Sequence, residues 1–421
     1  LKGLDDKIDM KVLAVKDETD DRITTFISKY AALSDKIKVE WIDPVLHPSA
    51  LTEYNTSQNT IYVSCEATGK STTISFDKIL VSDSSSYYYS GSSSYTSFDG
   101  EGQLSSAVNY VTSDVQKKIY TVTGHGEDSL STTITDLMTK NNYTTEELNL
   151  LMTDSIPDDC DLLLMDGPTN DLSDDEVSLL SGYLGEGGKV MCLLGDTGLA
   201  SLPKLAGLLK DYGIEGADGY IADPQRCYQN QPYYIFPVMN LSGDSSQMVL
   251  LMNSRGLTTT DPARDTITTS AFMTTSEQAY AVTEEDQKQG TYDLGVVATE
   301  TISSDSDSSD DTSSDSDSST DTSSDDSTES KESRLTVISA GSLIDQQITD
   351  AFSQLENTQV FMNAVTANFE GVTNLSIEAK SLTTEYNTVQ HAGGFSILVV
   401  FGIPAVILIG GFVVWFRRRK A

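Results

Sequence analysis

The sequence predicts a protein of the α/β class, with a small α/β domain, a larger doubly wound α/β domain and one C-terminal transmembrane helix. Three observations predict this architecture. Residues 1–80 alternate strand-like and helix-like patterns in the order β-α-β-(α)-β-β. Residues 118–212 place predicted helices between apolar strands, which is typical of a parallel sheet with right-handed crossovers. Residues 395–416 form an apolar run of 22 residues that carries no charge.

The first domain is predicted to span residues 1–81 and to be thioredoxin-like. Apolar and polar side chains alternate in its strands, whereas its helix repeats apolar side chains at a spacing of 3.6 residues. The predicted elements are a strand at 8–15, a helix at 23–33, a strand at 37–42 and a hairpin of strands 60–64 and 72–76 that turns at Gly69. The domain lacks a Cys-x-x-Cys motif, which the redox chemistry of such folds requires.

Residues 82–101 are rich in Ser, Gly and Tyr and are predicted to be a loop. The loop is either a solvated connection or a tyrosine-rich contact for a sugar or a protein. The second domain is predicted to span residues 102–380, with a doubly wound sheet of the flavodoxin or amidotransferase type. Its predicted helices are 103–113, 130–140, 173–184 and 203–212, and its predicted strands are 118–123, 144–149, 161–165, 189–194, 249–252, 292–298 and 334–340. Ser173 and Glu176 are spaced as a capping box.

Charge is the most unusual feature of the composition. The chain has 27 Lys and Arg against 63 Asp and Glu, a formal net charge of −36, so nucleic acid is not a predicted partner. Residues 303–330 contain only Ser, Thr, Asp and one Glu, and are predicted to be a disordered acidic loop within the second domain. A calcium site there is the alternative, but the spacing lacks the central glycine of an EF-hand loop.

Two predicted strands end in residues that suit a binding site. Gly124, His125, Gly126 and Glu127 follow the strand at 118–123, and Asp166 follows the strand at 161–165. Ligands of open α/β sheets bind outside the carboxyl ends of the strands. His125 is a candidate general base with Glu127 as its partner. Three interpretations stay open: a specific turn or partner contact, a ligand site, and catalysis.

No catalytic residue, metal site or cofactor is predicted. The sequence has no Gly-x-Ser-x-Gly elbow, phosphate-binding loop, Gly-x-Gly-x-x-Gly motif or metal-ligand spacing of His and Cys. Cys192 lies inside an apolar run and Cys160 just before one, so both are interpreted as small buried side chains. An amidotransferase-like nucleophile would need flanking glycines, but Met191 and Leu193 flank Cys192.

The last 27 residues predict a membrane anchor. Residues 395–416 are long enough to cross the hydrocarbon core, residues 381–394 are the predicted juxtamembrane linker, and residues 417–421 are a basic tail. Because the basic residues follow the span at once, the positive-inside rule places the tail in the cytoplasm and the bulk of the chain outside the cell membrane. The residues that define this anchor are Phe395, Pro404, Trp415, Arg417, Arg418 and Arg419.

Several motifs together resemble one family. Phe98-Asp99-Gly100-Glu101-Gly102, followed by Val122-Thr123-Gly124-His125-Gly126-Glu127, is similar to the hallmark of the gliding-motility-associated (GldG-type) auxiliary proteins of ABC-2-type transporters. Ile42-Asp43-Pro44, Ser333-Arg334-Leu335-Thr336-Val337 and Val360-Phe361-Met362-Asn363-Ala364-Val365 resemble other parts of that family. The chain departs from the family at Gly341-Ser342-Leu343, where family members commonly have Gly-Asp-Ser-like residues.

The resemblance implies a bacterial, extracytoplasmic auxiliary subunit that works beside a multi-pass permease and a cytoplasmic ATP-binding subunit. It also implies an N-terminal transmembrane helix, which this chain, beginning at Leu1, is expected to lack. We therefore expect a non-enzymatic subunit that binds or guides substrate or braces the permease. The alternatives are a cell-surface hydrolase of glycan or peptide that uses His125 and Glu127, and a ligand-binding receptor.

Overall fold

The N-terminal part of the computed structural model contains a four-stranded sheet in the order β2-β1-β3-β4. Strands β1 and β2 are parallel, and β3 is antiparallel to both β1 and β4. The elements up to residue 112 are β1 (Ile8–Leu13), α1 (Asp21–Ala31), β2 (Ile37–Ile42), α2 (Ser49–Glu53), β3 (Thr60–Cys65), β4 (Ser71–Ser75), α3 (Phe76–Ile79), β5 (Leu80–Asp83), β6 (Ser94–Phe98) and α4 (Gly100–Thr112). The predicted thioredoxin-like α/β order is confirmed.

Local chemistry explains why these elements begin and end where they do. Helix α1 begins after Asp20, whose carboxylate accepts a hydrogen bond from the backbone N–H of Arg22 at 2.9 Å. The helix buries Ile23, Ile27 and Tyr30. The turn between β3 and β4 contains Gly69 with φ of +70°, a conformation that glycine adopts without steric cost.

Helix α4 packs on the N-terminal sheet, against β3 and β4. It buries Leu104, Ala107, Val108 and Val111. The hydroxyl groups of Tyr30 and Ser105 lie 3.1 Å apart and join α1 to α4. The sequence pattern groups this helix with the second domain, whereas its apolar face is covered by the first sheet. The domain boundaries remain a prediction.

The larger sheet has ten strands. Five of them are parallel, in the order β8-β7-β9-β10-β22, and the others are added at the β22 edge. The elements from residue 117 to residue 366 are β7 (Lys117–Thr123), α5 (Thr132–Lys140), β8 (Tyr143–Asn149), β9 (Leu162–Asp166), α6 (Asp174–Gly185), β10 (Lys189–Leu193), α7 (Pro203–Asp211), β11 (Ile214–Gly216), β12 (Tyr220–Ala222), β13 (Cys227–Tyr228), β14 (Gln231–Ile235), β15 (Val238–Met239), β16 (Leu251–Met252), β17 (Leu257–Thr259), β18 (Ile267–Thr274), β19 (Tyr280–Val282), β20 (Gln287–Gln289), β21 (Asp293–Ile302), β22 (Lys331–Ile338), α8 (Gln346–Ala351) and α9 (Asn357–Thr366). Of these strands, β12, β19 and β20 form a separate three-stranded sheet, and β13, β14 and β16 form another.

Helices cover both faces of this sheet, so the predicted doubly wound architecture is confirmed. One buried cluster joins Leu137 of α5 to Phe361 of α9, and the other joins Leu180 of α6 to Leu208 of α7. Strands β8 and β9 lie on opposite sides of β7, which makes the carboxyl end of β7 a topological switch point. The sheet is mixed rather than wholly parallel, because β21 and β22 form an antiparallel pair.

Residues Leu80–Phe98 and Lys380–Ala421 form a second compact unit. In it, β6 pairs antiparallel with both β5 and β23 (Lys380–Ser381). The unit also contains helix α10 (Ile403–Lys420), preceded by a π-helical stretch at Leu398–Gly402. Val400–Arg419 has a mean hydropathy of 2.0 over its most apolar window and is long enough to cross a membrane.

The structure describes residues 1, 3–83, 94–113, 116–240, 248–302, 331–351, 355–370, 372, 374–375, 377–382 and 398–420. Three sequence predictions fall wholly or mainly outside these residues. They are the core of the Ser/Tyr-rich loop at 84–93, the acidic loop at 303–330, and the linker with the start of the span at 383–397, which includes Phe395.

Candidate functional site

His125 lies between two carboxylates just beyond the carboxyl end of β7. Its Nδ1 is 3.1 Å from Oε1 of Glu127, and its Nε2 is 3.2 Å from Oε2 of Glu176 at the start of α6. The three side chains are only 2%, 2% and 4% exposed. Both carboxylate oxygens are hydrogen-bond acceptors, and the tautomer of the imidazole sets which ring nitrogen donates.

The backbone of His125 is held as firmly as its ring. Its carbonyl oxygen accepts hydrogen bonds from the N–H groups of Thr169 and Asn170, both at 2.9 Å, and from the Thr169 hydroxyl at 3.0 Å. Its own N–H donates to Oε2 of Glu127 at 2.7 Å. Gly126 has φ of +80°, and the Thr169 hydroxyl fills the space where a Cβ would lie. The turn after β7 is thereby tied to the loop after β9.

Glu176 belongs to the capping box that the sequence predicts. The Ser173 hydroxyl accepts from the Glu176 N–H at 3.2 Å, and the Glu176 carboxylate accepts from the Ser173 N–H at 2.8 Å. Burial alone would raise the pKa of Glu176. The hydrogen bonds from Ser173 and His125 outweigh the effect of burial and hold the pKa of Glu176 below its ordinary value. The spacing of Ser173 and Glu176 predicts the cap, but nothing in the sequence indicates that Glu176 also contacts His125.

This arrangement suits structural support better than acid–base chemistry. His125 and Glu127 are almost wholly buried and bind each other, Glu176 and the loop after β9, so little of either side chain is open to a substrate. A general base must reach the proton that it abstracts. Among the interpretations left open by the sequence, the geometry favours the specific turn.

A cavity of ≈ 610 Å³ lies beside this turn, outside the carboxyl ends of the parallel strands. Its wall comes from the loop after β7, from Asp166 at the end of β9, from the residues after β10 and from the turn after β22. Four aspartates line it, namely Asp128, Asp166, Asp196 and Asp345. None of the residues that the structure shows lining it is Lys, Arg or His.

Asp166 is the buried member of this acidic group. Its side chain is 7% exposed, and its Oδ1 has no hydrogen-bond partner among the described residues. Burial, followed by the charges of Asp128 and Asp345, raises the pKa of Asp166 to about 7. A Cβ on Gly341 would lie 3.1 Å from Oδ1, a tight contact that glycine avoids.

The candidate residues of the sequence therefore separate into two neighbouring groups. Gly124, His125, Gly126 and Glu127 form the turn, and Asp166 faces the cavity. Sequence reasoning does not identify Asp128 or Asp345 as part of the site. Asp128 directly follows Glu127 and could have been found by extending the motif by one residue, whereas Asp345 comes from a distant turn that only the fold brings close.

Cys192 is buried as expected, whereas Cys160 is only partly buried and its expected burial is wrong. Cys192 is 1% exposed, and burial raises the pKa of its thiol to about 12. Burial also raises the pKa of Cys160, whose Sγ lies 3.4 Å from the Tyr183 hydroxyl. Within the described ranges, no group of three or more His, Cys, Asp or Glu side chains is arranged to hold a metal ion.

At the other end of the chain, the described anchor residues lie on α10. Pro404 is the second residue of α10, which follows directly on the π-helical stretch. Trp415 is half-exposed, and the Arg419 guanidinium lies 5.2 Å from the centre of its ring. Arg417, Arg418 and Arg419 are exposed in the last turn.

Comparison with known families finds a match over the first parallel strands of the large sheet. Residues 116–232 match a family of ABC-transporter auxiliary proteins, described as "ABC-type uncharacterized transport system". The match begins just before β7 and includes the His125 turn and Asp166. It confirms the resemblance to ABC-transporter auxiliary proteins on this part of the chain. None of the curated proteins matches the chain.

Three solved structures match the chain at low sequence identity. The "mmIFT52 N-terminal domain" has 15% identity and a TM-score of 0.41, covering 61% of this chain and 98% of its own. A putative ThuA-like protein from Bacteroides uniformis has 10% identity and a TM-score of 0.32, with 62% and 96% covered. A cytoplasmic protein from Salmonella typhimurium has 9% identity and a TM-score of 0.32, with 60% and 98% covered.

Proposed function

We propose that this chain is a membrane-anchored, extracytoplasmic and non-enzymatic auxiliary subunit of a bacterial ABC-2-type transporter of the GldG type. The observation that carries the proposal is the family match over residues 116–232. In such a system a multi-pass permease and a cytoplasmic ATP-binding subunit are the partners. The lipid bilayer is the third partner. The subunit binds or guides substrate or braces the permease.

The C-terminal helix supports a single-pass anchor. Val400–Arg419 is apolar enough to span a membrane, and the described side chains of this segment are largely exposed, as lipid-facing residues are. The arginines lie at its C-terminal end, which favours a cytoplasmic tail. A fluorescent protein fused after residue 421 is expected to fluoresce, whereas alkaline phosphatase fused there is expected to be inactive; the reverse pattern contradicts the orientation.

The His125 turn has a part in this proposal. Its hydrogen bonds fix the loop that follows β7, and that loop lines the cavity. Gly124, His125, Gly126 and Glu127 would then position the surface that a ligand or the permease contacts, and Asp166 would contact the ligand. These roles require no bond to be made or broken by the subunit.

Affinity purification from gently solubilised native membranes tests the proposal. We expect mass spectrometry to recover one multi-pass permease and one ATP-binding subunit in amounts comparable to the tagged chain. A matched variant exchanges residues 398–420 for an unrelated single-pass span. Recovery of the permease with that variant assigns the contact to the rest of the chain, and its loss assigns it to the helix. Recovery of the wild-type chain alone in several mild detergents contradicts the proposal.

A further inference from the structure

We propose that the cavity at the carboxyl ends of β7, β9, β10 and β22 binds a small organic ammonium ion with an aliphatic body. Asp166 would hold the charged nitrogen. This site goes beyond the auxiliary role. It is a property of the purified chain, so it can be tested without the permease.

The positive charge of the ligand is inferred from the charges that surround the cavity. Asp128 and Asp345 stand close enough to Asp166 to raise its pKa, and Asp196 lies on the exposed side. Neighbouring carboxylates that no lining cation compensates disfavour an anion and attract a cation. The N-terminus of α5 also borders the cavity, but the Ser131 hydroxyl already accepts from the Ile134 N–H at 3.3 Å.

The carboxylate of Asp166 indicates where the ammonium group of the ligand would lie. A buried polar oxygen without a hydrogen bond is costly, because it loses water without a replacement. Oδ1 of Asp166 is such an atom among the described residues, and it faces Gly341 in the cavity wall. An ammonium N–H donor brought to the Asp166 carboxylate from the cavity would supply a hydrogen bond and neutralise the charge.

The chemistry of the rest of the wall selects an organic ion over a metal. Leu130, Leu194, Met252 and Ile344 line the same cavity. Polar side chains such as Ser131, Asn253 and Gln346 line it as well, so the wall offers an organic ion both apolar and polar contacts. Calcium requires six to eight oxygen ligands and magnesium a near-ideal octahedron. The described side chains do not converge into such a set.

Calorimetric titration of the full-length chain in a mild detergent tests the site, with 1,5-diaminopentane as the probe. The control ligand is 1,5-pentanediol, which has the same length and no charge, and Ca²⁺ and Mg²⁺ are titrated separately. We expect the diamine to bind and the diol not to bind. Asp166→Asn should weaken diamine binding at least about tenfold. Asp196→Asn, at the exposed rim, should weaken it less than about threefold.

Binding should also depend on pH, because only ionised Asp166 attracts the ammonium ion. The titratable groups that face Asp166 are Asp128 and Asp345, while Cys192 lies behind it in β10 with a thiol that stays neutral. Between pH 8 and pH 6 the affinity should fall about tenfold in the wild type, since the pKa of Asp166 is about 7.

Three results would overturn the inference. They are equal binding of the diol, no diamine binding at millimolar concentration, and diamine binding that Asp166→Asn leaves unchanged. If a metal ion binds through Asp166 and the diamine does not, the proposed organic ligand is wrong and the site binds a metal cation. The affinity purification tests the auxiliary role and this titration tests the cavity. If the purification does not recover a permease, the titration result is unchanged, so the two proposals can fail separately.

Discussion

Nε2 of His125 lies 3.2 Å from Oε2 of Glu176, a residue 51 positions later in the chain. The contact joins the turn after β7 to the first turn of α6. It crosses the switch point of the sheet, where β7 and β9 lie side by side. The glycine–histidine motif and the helix cap are therefore two parts of one buried network.

Removing the imidazole should destabilise this network. His125→Ala leaves Glu127 and Glu176 buried without their shared partner, and leaving a buried polar group without its hydrogen bond costs about 1–3 kcal/mol. We expect the free energy of unfolding, measured by urea titration, to fall by that amount. His47→Ala is the control, because His47 is exposed and should change stability by less than about 0.5 kcal/mol. A loss below about 1 kcal/mol at His125 would contradict the structural role.

A second prediction concerns two helical glycines in different surroundings. A Cβ at Gly102 of α4 would lie 2.7 Å from the carbonyl oxygen of Ile377, whereas nothing lies within 4 Å of a Cβ at Gly182 of α6. Alanine favours a helix interior by about 1 kcal/mol over glycine, but overpacking costs about 1–3 kcal/mol. We expect Gly102→Ala to lower the melting temperature and Gly182→Ala to raise it. If both variants were stabilised, the close approach at Gly102 would be contradicted.

The sequence predicts most of the regular elements because their signals are local. The strand at 37–42, the cap at Ser173 and the turn at Gly69 each depend on neighbouring residues, and the structure confirms them. Burial of helix α4 on the first sheet depends on contacts with β3 and β4, which no local pattern contains. For the same reason the sequence does not indicate that Asp345 approaches Asp166.

The acidic loop should be dispensable for the fold of the large sheet. Ile302 and Lys331 are Cα partners at the end of the β21–β22 pair, so the chain leaves and re-enters at adjacent positions. Replacing residues 303–330 with a four-residue turn shortens the connection, and loop closure alone should stabilise the pair by about 1–2 kcal/mol. We expect unchanged or raised resistance to urea. A control that replaces the segment with 28 residues of Gly and Ser separates the effect of length from that of the ten acidic charges.

The last prediction concerns pH and follows from the burial of Asp166. Its pKa is about 7 in the folded chain against 3.8 for an unperturbed aspartate, so the folded state holds this proton more tightly than the unfolded state. Between about pH 4 and pH 7 the unfolded chain releases the proton while the folded chain keeps it. Stability from this group is therefore present below pH 4 and is lost as the pH rises to 7, by up to about 4 kcal/mol.

Asp166→Asn removes the titrating group and keeps the shape of the side chain. We expect the difference in free energy of unfolding, variant minus wild type, to grow in favour of the variant from pH 5 to pH 8. Urea titrations at each pH in one detergent measure this difference, which cancels the contribution of the other carboxylates. Asp158→Asn, at an exposed position, should show no such trend. A difference in free energy that stays constant with pH would contradict the raised pKa of Asp166. It would also contradict the lack of hydrogen-bond partners among the described residues, on which the proposed cation site depends.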